Sequence, residues 1–204
     1  MYYSGDTNDV ASRYGNDYSV VRIASKINGP WSEIDVPSSR GRVHMSVVKT
    51  DDPTKLVAFF RSRSADRIYR SVSRDGGENW SSPERTMLPN NNASIMAISL
   101  KSGRTALICN HYAAQDEDSS ATVWPKQRYR LILALSEDEG ISWPYMRMLE
   151  IGDGFFDERS DHKNREISYP AIIEDADGNI HCSYTFSGRD YIKYAIVDEE
   201  WIMG

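Results

Sequence analysis

Side chains that could bind a sugar stand at both ends of short apolar runs in this 204-residue sequence. Guanidinium and amide groups are planar donors that fit carboxylates and hydroxyl groups, and aromatic faces fit sugar rings. The candidates at or near the starts of runs are His44, Asn90, Asn92, Ser168 and Tyr169, and those at the ends are Arg61, Arg63, Asn110, His111, Tyr184, Thr185 and Arg189. If a fold brings these run ends together around one axis, the set predicts a glycan-binding cleft. Any single member could equally be an ordinary rim residue.

A motif of the form S-x-D-x-G-x-x-W, which looks like an Asp-box, occurs at residues 73–80 and again at 136–143. Its aspartate can accept backbone N–H groups within a turn, its glycine supplies a positive φ, and its tryptophan folds back under the strands. We therefore expect a structural role, with a catalytic Asp75 or Asp138 as the weaker alternative. The structural residues are Ser73, Asp75, Gly77, Trp80, Ser136, Asp138, Gly140 and Trp143.

Tryptophans recur at the period of a propeller blade. Trp31, Trp80, Trp143 and Trp201 lie 49, 63 and 58 residues apart, which fits blades with one or two long loops. Each of three units has three β-rich runs before its tryptophan, and two units have a short fourth run after it. The runs are 43–49, 56–60, 68–73 and 85–88, then 94–100, 105–109, 130–135 and 146–151, then 169–174, 180–185 and 192–197.

These runs predict an all-β protein, a β-propeller of four-stranded antiparallel blades within a single domain, residues 1–204. About three and a half blades are expected, at approximately 1–40, 41–90, 91–152 and 166–204. Residues 153–165 read as a polar loop, and helix-period stretches are essentially absent. Because the sequence begins and ends inside a blade, we expect a truncated six-bladed propeller. Missing blades or a self-association partner would then cover its open sheet faces.

Composition and charge exclude several classes of function. The net charge of -6 and the pI near 5.3 argue against nucleic acid as a partner. No apolar run is long enough to span a bilayer and no signal peptide is visible, so we expect a soluble protein without a membrane partner, in an unassigned compartment. Cys109 and Cys182 lie inside apolar runs and are expected to be buried and reduced. No cofactor or metal is predicted; calcium at the acidic loop 115–118 is a weaker alternative to a solvated loop.

Several short phrases, in their order and spacing, carry a resemblance to a known family. They are Phe59-Phe60-Arg61-Ser62-Arg63, Leu88-Pro89-Asn90-Asn91-Asn92, Cys109-Asn110-His111, Ser168-Tyr169-Pro170, His181-Cys182-Ser183-Tyr184-Thr185 and Ile192-Lys193. Together with the Asp-boxes, they resemble the sialidase-like (neuraminidase-like) family of BNR repeat proteins. The resemblance runs from about Tyr18 to Trp201 and covers the C-terminal part of the family's six-bladed propeller.

The resemblance implies a retaining exo-glycosidase that acts on terminal sialic acid or a related acidic sugar. The anomeric carbon of that sugar carries a carboxylate, which would repel a carboxylate nucleophile, so the family looks to use a tyrosine activated by a glutamate. It implies Tyr169 as the nucleophile and Glu166 as its base, with Arg61, Arg63 and Arg189 binding the carboxylate. From the residues alone, Tyr169 could instead be an aromatic plug on the axis and Glu166 a solvated loop charge.

Departures from the family pattern leave other functions open. His44-Met45 stands at the place where the family pattern has what resembles a Gln-Pro pair. The family's N-terminal arginine motif and general-acid aspartate have no counterpart in this sequence. Asp66 is the nearby carboxylate that we nominate as a surrogate acid. The alternatives are a non-catalytic glycan-binding propeller fragment, and another carbohydrate-active enzyme, a polysaccharide lyase or rhamnosidase centred on His44 or His111.

Overall fold

Four antiparallel sheets follow one another along the chain in the computed structural model, which describes residues 2–3, 14, 16–117, 121–125, 127–152 and 166–204. Each sheet is a meander in which strands adjacent in sequence are hydrogen-bonded neighbours. The strands are β1 Tyr2–Tyr3, β2 Tyr18–Ile23 and β3 Ser32–Asp35; β4 Arg42–Lys49, β5 Leu56–Ser62, β6 Arg67–Ser73 and β7 Glu84–Pro89; β8 Met96–Ser99, β9 Thr105–Asn110, β10 Arg130–Ser136 and β11 Tyr145–Ile151; and β12 Ser168–Glu174, β13 Ile180–Phe186 and β14 Tyr191–Val197. The prediction of an all-β fold of antiparallel blades is confirmed.

The sheets stack face to face, and each pair of neighbours shares one apolar layer. Successive side chains on a strand point to opposite faces, so Phe60 packs between the first and second sheets while Phe59 packs between the second and third. Leu133, Ile172 and Cys182 belong to the layer between the third and fourth sheets. The third sheet is therefore covered on both faces, and all six residues of β9 are buried.

The serine and the aspartate of both Asp-box turns form the same hydrogen bonds with the turn backbone. Gly77 and Gly140 donate their N–H groups to Ser73 Oγ and Ser136 Oγ at 2.8 and 2.7 Å. Asp75 Oδ1 accepts hydrogen bonds from Ser73 Oγ and from the N–H of Asn79, and Asp75 Oδ2 accepts one from Asn79 Nδ2. These bonds lower the pKa of the Asp75 carboxyl to about 2, and the bond from the Asn79 side chain contributes most. The carboxylates are engaged in the turns, at the ends of the blades opposite the β5–β6 turn.

As predicted, helix is essentially absent from the described residues, with one short helix at the end of the chain. Residues Glu199–Met203 form a short helix, α1, that begins at Asp198, whose side chain accepts the N–H of Trp201. Ile202 is buried in the layer between the third and fourth sheets. Trp201 lies in this helix and packs against the same layer. Trp80 and Trp143 likewise pack between their own sheet and the preceding one. Trp31 is 55% exposed and is not folded under its strands. The loop predicted at 153–165 lies outside the described residues.

The outer face of the last sheet is apolar and exposed. Ile173, Ile192, Tyr194 and Ile196 are between 55% and 79% accessible. Whether further blades or a second copy cover this face stays a prediction. Among the helices of the described residues, none has the length and apolar character needed to cross a membrane.

The two Asp-box glycines offer a matched test of sheet stacking. A Cβ on Gly140 would overlap with the ring of Phe59, which belongs to the neighbouring sheet, whereas a Cβ on Gly77 would lie 3.4 Å from Leu56 Cδ1, an ordinary contact. Both glycines have positive φ, 101° and 85°, so either alanine costs about 1–2 kcal/mol of backbone strain. We expect Gly140→Ala to lower the free energy of unfolding by about 1–3 kcal/mol more than Gly77→Ala. Urea unfolding measures both, and equal losses would contradict the stacking.

Candidate functional site

The first strands of the second and fourth sheets, β4 and β12, each begin with a bulge that holds a bulky residue in the left-handed region of backbone conformation. The pairing register shifts between Val43 and Ser46 in β4 and between Ser168 and Ala171 in β12. His44 and Tyr169, which follow the last paired residue before each shift, have φ of 52° and 51°. Such a conformation costs non-glycine residues about 1–2 kcal/mol, and bulges often redirect side chains next to functional sites. Both side chains line the same cleft.

Two arginines from the end of β5 form one wall of this cleft. Arg61 and Arg63 are only 6% and 3% exposed, and buried cations need partners. Arg63 donates from Nη2 and Nε to Asp17 Oδ2 at 2.6 and 3.1 Å. Arg61 donates from Nε to Asn92 Oδ1 at 3.1 Å, and its Nη1 lies 3.0 Å from His44 Nδ1.

His44 is held neutral beside these arginines. Burial, and then the charges of Arg61 and Arg63, lower the pKa of its imidazole to about 4. Because an arginine can only donate, Nδ1 of His44 accepts the Arg61 hydrogen bond, and the ring proton is on Nε2. At neutral pH the cleft therefore contains an uncharged imidazole next to a guanidinium.

A second charged group gathers around Glu166, which is 7% exposed. Its Oε1 accepts hydrogen bonds from Ser168 Oγ at 3.0 Å and from Arg189 Nε at 2.8 Å, and its Oε2 lies 3.5 Å from Arg128 Nη1. The Cζ of Arg189 is 4.8 Å from the centroid of the Tyr169 ring. Tyr169 itself is 51% exposed, so its phenol is accessible to a ligand.

These groups surround a cleft of about 550 Å³, a size that suits a small ligand. Its charged lining consists of Arg61, Arg63, Arg128, Arg189 and Glu166, and its aromatic lining of Tyr14, Trp124 and Tyr169. Four cations against two carboxylates, Glu166 and the Asp17 that pairs with Arg63, give the cleft an excess of positive charge. A carboxylated ligand fits this balance better than a neutral or a cationic one.

Comparison with known proteins assigns the family. The sequence profile of the BNR repeat-like domain matches residues 10–182, most of the chain. The chain belongs to this BNR repeat-like family. A search of curated proteins finds no match.

Solved structures of sialidases share the fold. The NanB sialidase from Streptococcus pneumoniae has a TM-score of 0.63 at 18% identity, over 92% of this chain and 28% of that one. A Hadza microbial sialidase has a TM-score of 0.66 at 16% identity, over 91% of this chain and 33% of that one. A leech intramolecular trans-sialidase has a TM-score of 0.64 at 14% identity, over 91% of this chain and 28% of that one. The predicted sialidase-like propeller is thus confirmed as the fold of this BNR repeat-like chain. The chain spans no more than about a third of the length of these relatives.

Several residues predicted for the cleft lie behind it. Asn90 Oδ1 accepts the backbone N–H groups of Ser62 and Asn92, both at 3.0 Å, and Asn110 donates to the carbonyl of Ile167 at 3.0 Å. These two asparagines fasten the strand ends. His111 is partly buried, and burial followed by the charge of Arg130 lowers its pKa.

Tyr184 and Asp66 also point away from the cleft. Tyr184 packs between the third and fourth sheets and donates to Glu150 Oε2 at 3.1 Å. Asp66 is fully buried. Burial raises the pKa of its carboxyl, but hydrogen bonds from Ser62, Tyr69, the Arg67 backbone and Ser64 outweigh that effect and hold the pKa below its usual value. A buried ionised carboxylate is a poor proton donor, so Asp66 is not retained as an acid.

Four residues that line the cleft were not predicted: Tyr14, Ser94, Trp124 and Arg128. Asp17, which pairs with Arg63, was not predicted either. Tyr14 and Asp17 precede β2, Ser94 precedes β8, and Trp124 and Arg128 belong to the long connection between β9 and β10. Val123 donates its N–H to the carbonyl of Arg63 at 2.8 Å, which brings this connection over the second sheet. The sequence did offer one signal for this part of the cleft, because Trp124 is a large aromatic residue within an otherwise polar segment.

In the described part of the chain, no group of three or more His, Cys, Asp or Glu residues is placed to hold a metal ion. The acidic loop considered for calcium is only partly described. Its Asp116 forms ion pairs with Arg67 and Arg85.

The lowered pKa of His44 predicts a loss of stability in acid. The unfolded imidazole has a pKa of 6.5 and the folded one about 4, so the unfolded state binds the extra proton and stability falls as pH drops from 6.5 to 4. The loss reaches roughly 2–3 kcal/mol. In His44→Asn, a residue that tolerates positive φ, this component disappears. Urea unfolding of the unchanged protein and of His44→Asn, at pH 7 and at pH 4, measures this component. If the free energy of unfolding falls between the two pH values by the same amount in both proteins, the assignment is wrong.

Proposed function

We propose that this chain forms the carboxylate-binding wall and supplies the nucleophile of a sialidase-like glycoside hydrolase, a retaining exo-glycosidase for terminal sialic acid or a related acidic sugar. The observation that carries the proposal is the convergence of Arg61, Arg63, Arg128 and Arg189 with Tyr169 and Glu166 on one cleft. The sialidase-like fold and the BNR repeat-like family support it. Because the chain spans only part of its relatives, the activity is proposed for the propeller as a whole.

The charges of the cleft suit a sugar whose reacting carbon carries a carboxylate. Arg189, half exposed beside Tyr169, is well placed to pair with that carboxylate, and the arginine wall adds to the attraction. A neutral phenol approaches such a centre without the repulsion that a carboxylate nucleophile would meet. The tyrosine oxygen would attack the anomeric carbon while the glycosidic C–O bond breaks, and water would then hydrolyse the glycosyl-tyrosine with overall retention.

Glu166 is proposed as the group that receives the proton of Tyr169. It lies in the same cleft, three residues before the tyrosine, and Ser168 and Arg189 orient its Oε1. A free tyrosine has a pKa of about 10, so its attack at neutral pH needs a base. The neighbouring arginines would also stabilise a phenolate.

A second candidate rests on the neutral His44 next to Arg61. A polysaccharide lyase needs a cation on the carboxylate of a uronic acid and a neutral base that removes the proton from the adjacent carbon. The sugar oxygen in the β position then leaves, and a double bond forms in its place. With its pKa of about 4, His44 is unprotonated at neutral pH and is suited to that role.

Turnover of a fluorogenic sialoside is the primary test, with Tyr169→Phe as the key variant. We expect this variant to lose about a thousandfold or more in kcat, while calorimetric binding of N-acetylneuraminic acid changes by less than about threefold. Tyr191→Phe, which changes a tyrosine that is 66% exposed and does not line the cleft, is the matched control and should be unaffected. Sialidase turnover that survives in Tyr169→Phe would exclude the tyrosine as nucleophile.

Two other outcomes separate the alternatives. Cleavage of a uronate polymer to an ultraviolet-absorbing unsaturated product, lost in His44→Asn and retained in Tyr169→Phe, would establish the lyase. Binding of N-acetylneuraminic acid that Arg189→Ala abolishes, without turnover of either substrate, would identify a glycan-binding propeller instead.

A further inference from the structure

Three side chains on the last sheet form a series of hydrogen bonds that ends at an exposed phenol. His181 Nε2 lies 2.8 Å from Asp175 Oδ2, and His181 Nδ1 is hydrogen-bonded to the phenol oxygen of Tyr194. Asp175 follows β12 at the end opposite to Tyr169, and the length of this strand places the two residues about 20 Å apart. None of the three side chains lines the cleft, so they form a separate group.

The Asp175 carboxylate is fixed by the turn in which it lies. Its Oδ1 accepts the N–H groups of Asp177 and Asn179, both at 2.9 Å, and its Oδ2 accepts Asn179 Nδ2 at 3.0 Å. The hydrogen bond from His181, followed by those within the turn, holds the pKa of the Asp175 carboxyl well below its usual value. Because an ionised carboxylate can only accept, the proton of His181 that faces it is on Nε2.

This arrangement leaves the other ring nitrogen of His181 as a base. A neutral imidazole with its proton on Nε2 has a lone pair on Nδ1, which accepts the phenol proton of Tyr194. A free tyrosine has a pKa of about 10 and is a weak nucleophile at neutral pH unless a base receives its proton. A carboxylate, an imidazole and a hydroxyl group in this order are the arrangement that activates the nucleophile of many hydrolases.

The hydroxyl group is accessible, whereas the base and the carboxylate are less so. Tyr194 is 62% exposed, and the side chains of His181 and Asp175 are 21% and 30% exposed. Tyr191 belongs to the same strand and is 66% exposed. In the described part of the chain, no imidazole accepts the phenol proton of Tyr191. The two tyrosines therefore match in exposure and differ in having a base.

We infer that Asp175, His181 and Tyr194 form a second reactive site, at which small activated acyl donors, such as N-acyl azoles, aryl esters and acyl phosphates, acylate Tyr194. The phenol oxygen bonds to the acyl carbon while its proton passes to His181 Nδ1, and the Asp175 carboxylate stabilises the imidazolium. The bond from the acyl carbon to the leaving group then breaks, and the leaving group takes the proton from His181. The product is an O-acyl tyrosine.

Acetylation of the 204-residue chain by N-acetylimidazole tests this site. Lys193 lies between Tyr191 and Tyr194, so tryptic peptides separate the two tyrosines, and mass spectrometry gives the initial rate of each. At pH 7.5 we expect Tyr194 to react about a hundredfold faster than Tyr191, which is the low end of general-base effects. A phenol without a base reacts as phenolate, whose fraction rises about tenfold per pH unit. The rate ratio should therefore fall about tenfold from pH 7.5 to pH 8.5.

Two variants remove the base in different ways. His181→Gln removes the imidazole itself. Asp175→Asn keeps an oxygen for the turn but turns an amide N–H towards Nε2, which moves the ring proton to Nδ1 and ends its role as an acceptor. Each variant should bring the rate of Tyr194 to within about threefold of that of Tyr191. Asp177→Asn, which removes a charge from the same turn and leaves Asp175 in place, is the control and should change neither rate.

Every outcome bears on the base. Equal rates for Tyr194 and Tyr191 in the unchanged protein, or a rate ratio that stays constant with pH, overturn the inference. Fast acetylation of Tyr194 that survives in both His181→Gln and Asp175→Asn overturns it as well, since exposure alone would then account for the reaction. The comparison within the unchanged protein needs no variant, so it gives the answer even if a variant does not fold.

Discussion

Face-to-face stacking of sheets is the constraint on which the rest of this structure depends. A blade can bury its apolar residues only against the next blade, and the third sheet has neighbours on both faces. The contact is close enough that Phe59 of one sheet reaches the Asp-box glycine Gly140 of the next. Stacking fixes where the strands run, and therefore where they end. The chemistry then depends on the side chains at those ends.

The cleft combines two solutions to the problem of burying positive charge. Arg63 has an ion pair with Asp17, whose side chain is fully buried, while Arg61 has the neutral partners Asn92 and His44. The ion pair fixes the Arg63 guanidinium and so anchors the wall. The bonds to Asn92 and His44 hold the Arg61 guanidinium beside it.

The sequence was sufficient for the strands, the blades and the Asp-box turns, because alternation and turn residues are local signals. The sequence was insufficient where the result depends on which face of a strand a side chain occupies, or on contacts between segments that are far apart in the chain. Tyr184 stands at a strand end but shares its parity with Ile180 and Cys182, so it faces the core. Asp17 and Trp124 reach the arginines from irregular segments, and only the tertiary structure brings them there. The helix at Glu199–Met203 had a readable start, since Asp198 precedes two glutamates.

The strain at the two bulges indicates where the chemistry of this cleft lies. His44 and Tyr169 occupy equivalent places in β4 and β12, and both adopt a backbone conformation that glycine or asparagine would adopt at less cost. Asn92, which precedes β8, adopts the same left-handed backbone conformation. If only the bend of the chain mattered, the smaller residues would serve, and about 1–2 kcal/mol would be recovered at each position. An imidazole and a phenol at strained, cleft-facing positions are therefore best explained by what their side chains do to a ligand.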